Sequence, residues 1–275
     1  MTAGTDIFKL ADVRFAHGKT PAIDGIDLNI PAGKFYGILG PNGSGKTTLL
    51  DLLIRHRAPQ SGTIRYEDRD LQAIPRKSLA KAIALVPQSF TIRFPYTVAE
   101  IVSMGRHPHA RRFGALEPED RQFVRDILAE TGLESFAERS VTDLSGGERQ
   151  RVVFARALAQ DTPVLLLDEA TSNLDIHQCI HLMNRVRIRV VEAGRTVIAA
   201  LQDISLAAMY CDALIVLRQG KVAAFGKTGE VLTSDLLERV FHVLAKIDNT
   251  QDGMRIAFDR RLPEEAALPG CGRNR

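Results

Sequence analysis

The stretch GILGPNGSGKTTLL places four residues between Gly40 and Gly45 and follows them at once with Lys46 and Thr47. Glycines at this spacing let backbone N–H groups wrap a phosphate without Cβ clashes, and a helix starting at TTLLDLLIR adds the partial positive charge of its N-terminus. Lys46 then reaches the β and γ phosphates of a nucleotide, and the Thr47 hydroxyl ligates Mg²⁺. The candidate phosphate-binding residues are Gly40, Pro41, Asn42, Gly43, Ser44, Gly45, Lys46, Thr47 and Thr48. An apolar strand before the loop and a helix after it supply the setting this motif requires.

Two more groups extend the chemistry. VLLLDEAT ends an apolar strand in Asp168 and Glu169. At the carboxyl edge of a sheet an Asp holds Mg²⁺ through water, and a neighbouring Glu polarises an attacking water. LSGGERQR, Leu144 to Arg151, opens a helix with Ser145, Gly146, Gly147 and Glu148. That is a second anion-binding helix N-terminus, without a lysine of its own. One nucleotide does not easily use both ends of a single domain. Two chains packed head to tail, each phosphate loop facing the other's Ser145 turn, close as a two-fold dimer.

The run TVIAALQDISLAA stops at Gln202-Asp203 and continues with a helix-like pattern. Buried strands of α/β folds deliver polar side chains to the carboxyl end of the sheet, where ligands bind. A solvated or capping strand end is the alternative reading of Gln202.

The elements that must position these groups fall into three textures. The first sixty or so residues read as strands, DIFKLADVRF, AIDGIDLNI and KFYGILG, with GTIRYED after a helical segment. Ile23, Ile26, Leu28 and Ile30 alternate with polar residues, as in a half-exposed antiparallel sheet. IALVPQ, VLLLDE, TVIAAL and ALIVL are short, continuously apolar and separated by helical stretches, which predicts a parallel α/β core. Residues 92–143 are rich in helix formers, with Phe123, Ile127 and Leu128 at helical spacing, and read as an inserted helical subdomain. The main domain is expected over 1–245, with 246–275 an extension of partly ordered strand and a loose tail.

Composition sets outer bounds. The 275 residues are 45% hydrophobic and 25% charged, an ordinary globular balance. No stretch approaches the roughly 18 apolar residues of a membrane span, and MTAGTDIFKLADVRF lacks the order of a signal peptide, so a cytosolic chain is expected. A net charge of +3 is too mild to argue for nucleic acid. Cys179, Cys211 and Cys271 are too scattered for a zinc knuckle or a disulfide framework.

Taken in order, GPNGSGKTT, VPQ with Gln88, LSGGERQR, LLLDEATSNLD and LQDISLA resemble the ATP-binding subunits of ABC transporters over residues 7–245. The resemblance implies a phosphate-loop NTPase core with a parallel sheet, an antiparallel β subdomain and an inserted α-helical subdomain, binding ATP and Mg²⁺. It implies that Phe15 stacks on adenine, although an aromatic on a first strand also serves core packing. Gln88 becomes the residue that senses Mg²⁺, water and the membrane partner, and Asp175 the carboxylate of the loop after the Glu. TVAEIVSMGRHPHARRFGALEPEDRQ and DISLAAMYCD look like the subunits that energise import of iron chelates, haem or cobalamin, at the cytoplasmic face of the membrane. Implied partners are a second ATPase subunit, like or unlike, a membrane permease and, indirectly, a solute-binding protein. Arg106, Arg111 and Arg112 read as a solvated face or a permease or headgroup contact, and Pro108 between His107 and His109 argues against a metal site.

Two departures stand out. Ala170 occupies the place where such subunits usually have Pro. Gln202 stands where most have the His that contacts the γ-phosphate. An amide replaces a charge-assisted hydrogen bond by a neutral one, about 1 to 2 kcal/mol, or a roughly 5- to 30-fold slower hydrolysis if all of it falls on the transition state. A nucleotide-holding regulatory subunit is therefore the alternative, ahead of a non-transport ABC ATPase.

Overall fold

The computed structural model describes residues 5–90, 94–110, 116–172, 174–250 and 253–261. In chain order its main elements are β1 (Asp6–His17), β2 (Thr20–Pro31), β3 (Phe35–Leu39), α1 (Lys46–Leu53), β4 (Ser61–Tyr66), β5 (Arg69–Asp70), α2 (Arg76–Ala82) and β6 (Ile83–Val86). Then come α3 (Val98–Ser103), α4 (Pro118–Glu130), α5 (Gly146–Ala159), β7 (Val164–Asp168), α6 (Ile176–Ala193), β8 (Thr196–Ala200) and α7 (Ile204–Tyr210). The last are β9 (Ala213–Arg218), β10 (Lys221–Lys227), β11 (Ala245–Thr250) and β12 (Gly253–Phe258).

The first sheet is antiparallel, in the order β2-β1-β4-β5. Ile23, Ile26, Leu28 and Ile30 are all buried. Ile23 and Ile26 are three apart and still share a face, because a register shift between Val13 and Arg14 lies opposite Gly25, whose φ is 70°. A bulge of this kind restores the alternation after one extra residue.

The second sheet has the order β10-β9-β3-β8-β7-β6, parallel from β9 to β6. KFYGILG therefore does not join the antiparallel layer with its sequence neighbours. Its strand β3 lies between β8 and β9 at the centre of the parallel sheet, buried along its whole length. The reason is composition: five residues with no polar side chain except Tyr36, whose hydroxyl donates to Pro31 O, suit a strand covered on both faces. Alternate residues of the sheet feed two cores. Phe35, Leu39, Leu165, Leu167, Val197 and Ala199 face one, and Tyr36, Ile38, Leu166, Ile198, Ile215 and Leu217 face the other. Each large apolar side chain so buried contributes about 1.5 to 3 kcal/mol.

Helices α3 and α4 pack on α5 and share the first of these cores with the sheet. Thr97 starts α3 through a capping box with Glu100. Of the expected apolar face of α4, Ile127 and Leu128 are buried together with Val124, whereas Phe123 is half-buried under the Arg106 guanidinium, 4.8 Å from its ring centre. That corrects the reading of Arg106 as a solvated face. Its Nε donates to Asp120 at 2.8 Å and its Nη1 to Ala159 O at 2.9 Å, so the side chain staples α4 to the end of α5. His109 Nε2 lies 2.8 Å from Gln160 O, a packing role. Ile92, Arg111 and Arg112 lie outside the described residues, as do Asn173, Cys271 and the tail after Arg261. The C-terminal extension holds two strands rather than one. They form the hairpin β11-β12, which rests against α7. Among the described residues no helix is long and apolar enough to cross a membrane.

Candidate nucleotide site

Four neighbouring strands, β3, β8, β7 and β6, end at one edge of the parallel sheet. Just beyond them come the glycine loop after β3, Gln202 after β8, Glu169 after β7 and Gln88 after β6. Parallel strands aim their carboxyl ends the same way, so chemistry dispersed over some 160 residues of sequence converges on one crevice. The cleft measures about 500 Å³ and is bordered by residues 42–48, by His17, Thr20, Pro21 and Ala22, and by Gln88, Glu169 and Gln202.

Local sequence shapes each part. Gly40 and Gly45 have φ of 155° and 106°, and a Cβ at Gly45 would lie 2.4 Å from Ala22 O. Only glycine lets the loop press so closely on β2. Lys46 opens α1 and folds back, its Nζ 2.9 Å from Gly40 O. The Ser44 hydroxyl is buried and has no hydrogen-bond partner among the described residues. A buried, unpaired hydroxyl inside a glycine cradle fits a loop whose acceptor is a phosphate.

At the floor, Thr47 Oγ1 donates to Asp168 Oδ1 at 3.0 Å. Burial holds the Asp168 carboxyl above its ordinary range, against the opposing pull of the Thr47 hydrogen bond. Burial likewise pulls the Lys46 ammonium below the usual lysine range, while Glu169 and Asp168 work against that shift. A hydroxyl, a carboxylate and the Gln88 amide are hard oxygen donors, the set that suits Mg²⁺. Glu169 has a left-handed backbone, φ 46°, with its N–H on Ala200 O at 3.1 Å. Its Oε1 stands 4.0 Å from Lys46 Nζ, and its Oε2 accepts 2.6 Å bonds from both Gln88 Nε2 and Gln202 Nε2. The Gln202 amide thus rests on the neighbouring carboxylate.

The remaining sequence-selected residues do not border the cleft. Ser145 caps α5 in a capping box with Glu148, whose carboxyl is held low by the Ser145 backbone N–H. The Glu148 charge offsets part of the positive helix end that a phosphate would meet, and its carboxylate takes the Ser145 N–H, which leaves the Gly146 and Gly147 N–H groups to face an anion at that turn. Asp175 caps α6 by accepting from Gln178 N. Phe15 is half-buried, edge-on to His17, with Arg57 5.5 Å from its ring centre.

Two side chains at the site escaped the sequence reading. His17 ends β1 with its Nε2 3.2 Å from Thr48 Oγ1, a pairing across 31 residues with no local signal. Gln150 is buried and donates to Ala170 O at 3.0 Å, tying α5 to the turn after Glu169. Its place within LSGGERQR was the available signal.

Comparison with known proteins gives the same picture. The profile described as ABC transporter matches residues 23–172. The chain is 43% identical over 222 residues to a cobalamin import ATP-binding protein of Halobacterium salinarum, covering 81% of this chain but 55% of that relative, so it spans about half of that protein's length. It is 37% identical over 231 residues to an iron(3+)-hydroxamate import ATP-binding protein of Bacillus subtilis, covering 84% and 86%. Among solved structures, an inward-facing transporter described as of metal-chelate type superposes with a TM-score of 0.78 at 27% identity, over 92% of this chain and 97% of that one. A dimeric ATP-binding cassette bound to ADP and phosphate superposes at 0.71 with 31% identity, over 80% and 98%. A family match over more than half of the chain, with a relative more than a third identical along most of both chains, shows that this chain belongs to the ABC transporter family.

Proposed function

We propose that this chain is the ATP-hydrolysing subunit that energises a membrane importer of metal chelates, of the iron-siderophore, haem or cobalamin type. The observation that carries the ATPase reading is the convergence of Lys46, Thr47, Asp168, Gln88 and Glu169 on one cleft beside the unpaired Ser44 hydroxyl. The solute class rests on the relatives' import of cobalamin and iron(3+)-hydroxamate.

In this reading the loop amides, residues 40–48, cradle the phosphates and Lys46 neutralises the terminal ones. Thr47, Asp168 and Gln88 would hold Mg²⁺, which would supply charge neutralisation to the phosphates. Glu169 takes the proton of the attacking water, and Phe15 offers adenine the ring face that Arg57 does not cover. Ser145, Gly146, Gly147, Glu148 and Asp175 belong to the surface that a second ATPase subunit, identical or related, brings to the nucleotide. The helices of residues 92–143 and Gln88 meet the permease at the cytoplasmic face of the membrane, and a solute-binding protein acts one chain further away. Gln202 in place of an imidazole favours one rival reading, a subunit that holds nucleotide and turns it over slowly.

Replacing the base while keeping its shape tests the composite site. Glu169→Gln should form an ATP-dependent dimer in solution, because binding persists while hydrolysis stops. Light scattering that gives one unchanged mass with and without ATP would overturn the head-to-tail arrangement. Turnover unchanged in that variant would remove Glu169 from its role.

A further inference from the structure

We propose that Gln202 is a positioning residue for Glu169, fixing which carboxylate oxygen faces the phosphate loop rather than acting on the nucleotide itself. The proposal rests on the reading of Glu169 as the base. Its ground is an asymmetry in the carboxylate's surroundings. Gln88 Nε2 and Gln202 Nε2 both donate to Oε2, each at 2.6 Å, while Oε1 points toward Lys46 Nζ at 4.0 Å.

Two donors on one oxygen define the plane of the carboxylate. Terminal torsions of Glu are broad and two-fold, so without such donors the two oxygens exchange freely. Rotation here would break two short hydrogen bonds to an ionised acceptor. Oε1 is thereby left as the basic oxygen on the side of the phosphate loop.

The donors are rooted differently. Gln88 follows β6 by two residues, in a segment without regular structure. Gln202 is tied on both sides: Leu201 N donates to Ile38 O at 3.1 Å, and Asp203 Oδ1 caps α7 through Ser205 N and Leu206 N. Gln202 is the donor whose backbone is the more firmly held. The acceptor's own backbone agrees with such a demand. Glu169 keeps a left-handed φ of 46°, a conformation rare outside glycine and asparagine and one that persists where the surroundings enforce it. Glu169 and Gln202 also border a second cleft, of about 460 Å³, between α6 and α7. The clamp therefore stands between two openings, where an unheld carboxylate would have room to turn away from the loop.

The test is a double-mutant cycle on the full chain. Gln202→Met keeps length and bulk but cannot donate, and Gln202→Asn keeps the amide but falls one methylene short. Both should lower kcat about tenfold with KM for Mg·ATP unchanged, the sign of an interaction that matters only for the chemical step. In a Glu169→Gln background the same changes should cost nothing further, and equilibrium affinities for ATP and ADP should be unaltered. Wild-type turnover in Gln202→Met would overturn the proposal while leaving Glu169 in place. So would an affinity for ATP, but not ADP, that drops about tenfold with Gln202→Met in the Glu169→Gln background, since the amide would then be acting on the terminal phosphate. Full turnover in Glu169→Gln alone would overturn the base assignment and this proposal together.

Discussion

Replacing Gly45 by Ala puts one methyl group where the loop and β2 meet. Its Cβ would lie 2.4 Å from Ala22 O and 3.0 Å from Ile23 Cδ1. A carbon and an oxygen settle beyond 3 Å, so the loop must retreat from β2 by roughly 1 Å, and the obstacle is backbone rather than the end of a flexible side chain. Overpacking of this kind costs about 1 to 3 kcal/mol. The left-handed backbone, φ 106°, adds about 1 to 3 kcal/mol for any L residue with a side chain. Together these give about 2 to 6 kcal/mol of lost stability. Gly43 is the internal control: its φ is 77° and nothing lies within 4 Å of its added Cβ, so Gly43→Ala carries only the conformational cost, about 1 to 2 kcal/mol. Urea unfolding of the nucleotide-free variants measures both. Turnover should fall much further in Gly45→Ala, about 100-fold for a 1 Å displacement of the phosphate donors. Equal unfolding free energies for the two variants would refute the close-approach argument.

Two further outcomes follow from the same geometry. Gln150→Met strands the buried Ala170 carbonyl, so it should cost about 1 to 3 kcal/mol in urea unfolding; a loss below 0.5 kcal/mol, roughly the effect of a surface change, would show that another donor takes over. Asp168 has a carboxyl raised by burial above its ordinary 3.8, so its contribution to stability is fully present below 3.8 and is lost as pH rises through the raised folded value. Asp168→Asn removes that loss: the nucleotide-free variant should gain on the wild type as pH rises from below 3.8 toward neutrality, and a pH-independent difference between their unfolding midpoints would contradict the burial argument.

The chemistry of this protein is written locally wherever backbone geometry demands it. Gly40 and Gly45 were legible because close approach and positive φ exclude other residues there, and Lys46 and Thr47 because a helix must start where the phosphate sits. The run VLLLD declared a strand buried on both faces because nothing polar interrupts it before Asp168. The alternation of Ile26, Leu28 and Ile30 declared a strand with one buried face for the same local reason.

Neighbourhood was a different matter. An apolar run states that it is buried, not beside which strand, so β3 was read with the antiparallel strands it follows in sequence rather than between β8 and β9. Arg106 looked like any exposed cation until α4 brought Asp120 and Phe123 over it. The meeting of Gln88 and Gln202 on one oxygen of Glu169 spans separations of 81 and 33 residues and exists because β6, β7 and β8 are adjacent and end together. What the sequence determined by itself are the groups whose demands are met within a few residues of backbone. Which of them touch was decided by strand order, because that order is set by the burial of whole strands against one another and leaves no mark on any single residue.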